Sequence, residues 1–121
     1  MPSINRPLAG DMLQFDLAHE LAVTRDEEIL ERSGRTARTL VKESSLRVTL
    51  HLVAPGGAIG EHHADGPISV QVLRGSITFH AAGKDAELRE GELLVLDAGI
   101  VHSIDSREGA AFLLTVVLPV K

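Results

Sequence analysis

Gly56-Gly57-Ala58-Ile59-Gly60-Glu61-His62-His63, followed further on by Gly91 and by Asp97-Ala98-Gly99-Ile100-Val101-His102, is the stretch on which the fold turns. Each half sets a histidine behind glycine turns, inside a chain whose flanks alternate apolar and polar residues. Leu46-Arg47-Val48-Thr49-Leu50-His51-Leu52 places leucine and valine on one face and Arg, Thr and His on the other, the period of a half-buried strand. Further strands are expected at Thr36 to Val41, Ile68 to Leu73, Ser76 to Ala81, Ala86 to Arg89, Glu92 to Leu96, Val101 to Asp105 and Ala111 to Leu118, between Gly-, Pro- or Asp-bearing turns. So many short strands make an antiparallel sandwich or barrel.

With 121 residues the chain suits one domain. Phe15 to Gly34 breaks the strand pattern: Leu17, Ala18, Leu21 and Ala22 recur at helical spacing, Asp16 can cap a first helix, and Thr24-Arg25-Asp26-Glu27 reads as a capping box for a second that Gly34 stops. Residues 1–35 are therefore read as a helical segment packed on the outside of a β unit spanning 36–121.

Composition removes several function classes. The net charge of −5, from 12 basic and 17 acidic residues, lacks the positive footprint that nucleic acid needs. No cysteine is present, which excludes disulfides, thiolate ligands and a cysteine nucleophile and fits the cytoplasm. With neither Trp nor Tyr, stacking platforms and a tyrosine acid/base are absent too. No apolar run approaches the 18 residues of a membrane span, so no membrane partner is expected. Gly56 to Gly60 lacks the Gly-Lys-Ser/Thr ending and following helix of a phosphate-binding loop. Asp65-Gly66-Pro67 reads first as a turn, and alternatively as a pocket-mouth loop that sets a carboxylate beside His62 and His63.

Gly56, five residues, then His62, with Gly75 closing a hairpin after Val70-Gln71-Val72-Leu73-Arg74, resembles the first motif of the cupins, G-x5-H-x-H-x3-4-E-x6-G. Gly91, Gly99 and His102 resemble the second, with Asp97 where proline is usual and Ser106 where asparagine is usual. The resemblance covers roughly residues 36–118 and implies an all-β, RmlC-like jelly-roll barrel with short N-terminal helices. Phe15-Asp16-Leu17-Ala18, the run Gly34 to Lys42, Asp65 to Leu73 and Ala111 to Thr115 further resemble a group of small, uncharacterised bacterial single-domain cupins, which brings no reaction with it.

In metal-binding cupins the two motifs supply three histidines and a glutamate, a set that suits divalent iron, manganese, nickel or zinc. Carried over, His62 and His102 occupy ligand positions, while the second histidine position falls on Ala64 and the glutamate position on Ile68. His63 substitutes only if its strand bulges, because neighbours on a strand face opposite ways. Gln71 could add an amide oxygen. The expected pocket therefore contains His62, His63, Ile68, Gln71 and His102, with His62 and His102 as the metal pair or else as plain pocket histidines. His51 and His80 read as polar-face strand residues and His19 as a solvated helix residue.

Two functions follow. One is a binding module whose pocket holds a small organic molecule beside a degenerate metal site. The other is a metal-dependent cupin enzyme, a dioxygenase, isomerase or decarboxylase-like protein, using His62 and His102. Exposed sheet edges make a homodimer the expected assembly.

Overall fold

The computed structural model describes residues 7–119. Two short helices, α1 (Leu17–Thr24) and α2 (Glu27–Ser33), precede eight strands: β1 (Arg35–Lys42), β2 (Leu46–Val53), β3 (Ala58–His62), β4 (Ile68–Ala81), β5 (Lys84–Arg89), β6 (Leu93–Leu96), β7 (His102–Asp105) and β8 (Ala110–Val117). The architecture is all-β, a curled jelly roll carrying two helices.

Local chemistry sets the helix limits. The Asp16 carboxylate accepts from the Ala18 and His19 amides at the start of α1, and Asp26 accepts from Ile29 at the start of α2. Thr24 is not the cap that the sequence suggests: it is buried, and its hydroxyl donates to the Glu20 carbonyl at 2.7 Å. Gly34 ends α2 at φ 81°, a left-handed conformation that glycine adopts without penalty.

The strands run β1-β2-β8-β4-β7-β3, with β5 and β6 also pairing to β4. β4 corrects the sequence reading. Gly75 does not close a hairpin, because the chain runs on through it as one 14-residue strand. Its first half pairs with β6 and β8 in one sheet, and Ser76–Ala81 pairs with β5 and β7 in the other. Gly75 stands at the crossover with φ 70°, so near the β7–β8 turn that a Cβ there would lie 2.1 Å from the Gly109 carbonyl oxygen.

Both faces of the first sheet are apolar. Inward, Val53, Ile68, Val70, Val72 and Phe112 meet Ile77, Phe79, Leu88 and Ile104 of the second sheet to form the core. Outward, Leu40, Val41 and Leu50 pack beneath Leu13, Phe15, Leu17 and Leu21, and Leu30 of α2 covers Leu52 and Ala111. An ion pair between Arg38 of β1 and Glu20 of α1, at 2.9 Å and largely shielded from solvent, fixes α1 on the barrel.

On the outer face of the second sheet, His80 bridges two carboxylates: Nδ1 lies 2.6 Å from Asp85 and Nε2 2.6 Å from Asp105. Both carboxylates are served at once only when each ring nitrogen carries a hydrogen, so the bridge favours the imidazolium form. The hydrogen bonds to Asp85 and Asp105 raise its pKa above 6.5. The bridge joins β4, β5 and β7 below an unfolded-state pKa of 6.5 and is lost as pH rises through the higher folded value. An NMR titration should give His80 a midpoint above 6.5, moved downward by Asp105→Asn; an unshifted midpoint would contradict the bridge.

Candidate functional site

β3 and β7 pair antiparallel, with His62 directly opposite His102 after a register irregularity between Ile59 and His62. The two rings meet edge to face, centroids 4.1 Å apart. Each is oriented by its own approach loop: His62 Nδ1 donates to the Gly60 carbonyl at 2.8 Å, and His102 Nδ1 to the Ile100 carbonyl at 2.9 Å. A carbonyl can only accept, so both Nδ1 atoms carry hydrogen and both Nε2 lone pairs remain when the rings are neutral. The glycine turns thus set tautomer as well as position. His102 is buried and stacks on Phe79 at 5.3 Å, whereas His62 is exposed. Burial, together with His62 and His63, holds the His102 pKa below its ordinary value against the raising effect of the Ile100 hydrogen bond.

A third imidazole belongs with this pair. His51 shares the inward face of β2 with Val53 and stacks on Phe112, its cross-strand partner, at 5.0 Å and 6° between ring planes. Its Nε2 lies 2.9 Å from the Thr49 hydroxyl. Burial, then the Arg35 guanidinium, then His62 lower its pKa to about 4. Arg35 opens β1 opposite Val53, while Ala37 stands opposite His51, so arginine and histidine share one face of the β1–β2 ladder. Arg35 and His51 are therefore site residues absent from the sequence expectation.

This burial has a measurable cost. Unfolded His51 takes up a proton as pH falls through 6.5, while the folded residue stays neutral to about 4. Stability should therefore fall across that window by about 3 kcal/mol from this residue alone. Urea unfolding of wild type and His51→Phe at pH 7 and pH 4.5 tests it. The variant should lose less stability on acidification; equal losses would remove the assignment.

Of the other expected residues, Ile68 is buried in the core and Ala64 packs against it, so the positions of the missing ligands form apolar lining. His63 follows the end of β3, exposed, with its charge felt at His102. Gln71 is a correction. It is exposed and lies on the opposite face of β4 from Ile68, Val70 and Val72, which point into the core. Ser106, at the usual asparagine position, is a structural staple: its hydroxyl donates to the Ser76 carbonyl and accepts from the Gly109 amide.

Two imidazoles do not complete the cation set that the resemblance implies. Among the described residues no three His, Cys, Asp or Glu side chains converge to hold one ion. A groove of about 930 Å³ lies elsewhere, beneath α1 and α2, with Leu21, Leu30 and Leu52 in its lining and Arg25, Arg74 and Glu108 among its charged residues. Among the described residues no helix is long and apolar enough to cross a membrane.

A family model described as Cupin domain matches residues 49–118. The Oxalate-binding protein of Thermotoga maritima is 34% identical over 53 residues, 43% of this chain and 44% of that protein, so the chain spans less than half the length of this curated relative. A conserved protein of unknown function from Streptococcus pyogenes superposes with a TM-score of 0.71 at 25% identity, covering 100% of this chain and 98% of that one. A predicted oxalate decarboxylase from Thermotoga maritima superposes with a TM-score of 0.64 at 25% identity, covering 70% and 81%.

Proposed function

Since the chain belongs to the cupin domain family, we propose that it is a binding module that holds a small organic acid at the barrel end among Arg35, His51, His62 and His102. The observation that carries this reading is the convergence on His51, whose protonation both Arg35 and His62 disfavour. Arg35 has no ion-pair partner among the described residues, so its fork of N–H donors remains for a carboxylate. The Nε2 atoms of His62 and His102 add two sites for a hydroxyl or carboxylic acid hydrogen. Ala64, Ile68 and Phe79 supply apolar walls. Relatives named for oxalate binding and predicted oxalate decarboxylation support a short dicarboxylic acid as the first compound to try.

Calorimetric titration of the full chain with oxalate should give saturable binding. Arg35→Ala should weaken it by about tenfold or more, the loss of one charge-assisted contact. No binding of oxalate or other short carboxylic acids, or affinity unchanged in both Arg35→Ala and His102→Ala, would overturn the proposal. The metal-dependent alternative rests on the free Nε2 lone pairs of His62 and His102, the orientation that histidine ligands take. Stoichiometric iron, manganese, nickel or zinc in protein purified without added metal, lost in His62→Ala, would favour it.

A further inference from the structure

The groove beneath α1 and α2 lies outside the barrel, and none of the residues assigned to the organic acid lines it. Its volume of about 930 Å³ falls within the roughly 300–1,000 Å³ of small-molecule sites. A β-bulge aims a cation at it. Between Val72 and Arg74 the β4–β8 register slips by one, so that Val72 stands opposite Phe112 and Arg74 opposite the adjacent Ala111. Without the extra residue, Leu73, Arg74 would follow Val70 and Val72 into the core. With it, Arg74 joins Ala111 on the outer face, where Leu30 of α2 and Leu52 pack, and lines the groove. Among the other charged residues of the lining, Arg25 pairs with Glu27, whereas Arg74, Glu108 and Glu31 have no ion-pair partner among the described residues. Arg74 and Glu108 each precede a glycine of the closely apposed pair Gly75 and Gly109, where a Cβ on Gly75 would lie 2.1 Å from the Gly109 carbonyl oxygen. Opposite charges are thus neighbours on one wall of the groove, yet too far apart to pair with each other.

We infer that this groove is a second binding site, for a free α-amino acid with a large apolar side chain. The ligand carboxylate takes the fork of N–H donors on Arg74, whose planar geometry matches it. The ligand ammonium takes Glu108, and Glu31 of α2 adds to the negative field there. The apolar side chain lies on Leu21, Leu30 and Leu52. Charge selects this class over its neighbours. A simple carboxylic acid satisfies Arg74 but sets a like charge beside Glu108, and a simple amine does the reverse. Only a molecule carrying both charges on adjacent atoms answers the two side chains together. The leucines then select an apolar amino acid over a polar one, which would leave its side chain without hydrogen-bond partners.

An amide NMR titration of the full chain with L-leucine should give saturable shifts at Arg74, Gly75 and Gly109 and along α1 and α2, which separates this site from the barrel pocket. Isocaproate, which lacks the ammonium, and isoamylamine, which lacks the carboxylate, should each bind about tenfold more weakly or worse, the loss of one charge-assisted contact. Arg74→Ala should raise the dissociation constant for leucine about tenfold and Glu108→Gln several-fold. Both side chains are exposed, so far-ultraviolet circular dichroism and the unfolding midpoint should stay those of wild type. Ala22→Phe, at an exposed position of α1 on the groove, should fill the space and abolish binding with both charges in place. No saturation up to the solubility limit of leucine, shifts confined to the barrel residues, isocaproate binding as tightly as leucine, or an affinity unchanged in both Arg74→Ala and Ala22→Phe would each overturn the site.

Discussion

Replacing Phe112 by alanine is expected to lower the unfolding free energy by about 4 kcal/mol. The ring is fully buried, at 0% exposure, in the core where the two sheets meet. Its removal deletes apolar contact and leaves a void that strands hydrogen-bonded on both flanks, β2 and β4, cannot close. A second effect separates this change from an ordinary core truncation. Phe112 covers one face of His51, so the cavity admits water to that imidazole and its pKa rises from about 4 toward 6.5. Denaturation at pH 7 should therefore show the full loss, while the further loss on acidification to pH 4.5 shrinks relative to wild type. Phe112→Leu, which fills most of the space, should lose less at pH 7. A cost near that of a surface substitution would show that the ring is not a core member.

Gly75→Ala is expected to cost a comparable amount, about 4 kcal/mol, without touching any apolar contact. Two penalties coincide. At φ 70° an L side chain is strained, and its Cβ would stand 2.1 Å from the Gly109 carbonyl oxygen, a backbone atom held by the turn into β8. Neither side can yield alone, because Gly75 is opposite Ala110 in the β4–β8 ladder and the next residue, Ser76, enters the second sheet. The midpoint of urea unfolding should drop sharply, with a slope like that of wild type if the native fold persists. Gly83→Ala makes the control: its φ is also positive, at 73°, but nothing lies within 4 Å of the added atom. The difference between the two variants isolates the close approach from the backbone conformation. Equal costs would mean that Gly109 moves aside freely.

Most strands were legible from their alternation, though Ala58–His62 was not among those expected, and the two helices were legible from Asp16 and Gly34, while Asp26 rather than Thr24 caps the second. What alternation cannot say is which face turns inward when both are covered. In β2 the leucines lie under the helices and the polar face, with His51, enters the barrel, so the residue that read as peripheral joins the site. Gly75 read as a turn because glycine in an alternating run ordinarily marks one; only the approach of Gly109, 34 residues later, explains a glycine in mid-strand. Arg35 was hidden by its place directly after a helix stop. Gln71 was open to a parity argument, since Ile68, Val70 and Val72 already claimed the inward face. His62 and His102 were found by spacing, and the structure brings them together; the carbonyls that fix their tautomers are set by loop conformation that spacing does not encode.

The position of β8 bears on how this chain can fold as it is made. Among the described strands the one latest in chain order is not an edge: β8 lies between β2 and β4, and β7, the strand before it, lies between β4 and β3. Until Ala110–Val117 emerges, β2 has a partner on one side only, β3 has none without β7, and the first half of β4 lacks its longer ladder. Folding of this barrel from its N-terminal strands alone is closed to such a topology, and the nascent chain must carry open strand edges until β8 has emerged. Early termination within β8 would thus leave no smaller folded remnant, and the cell would meet a chain with its barrel open along two seams.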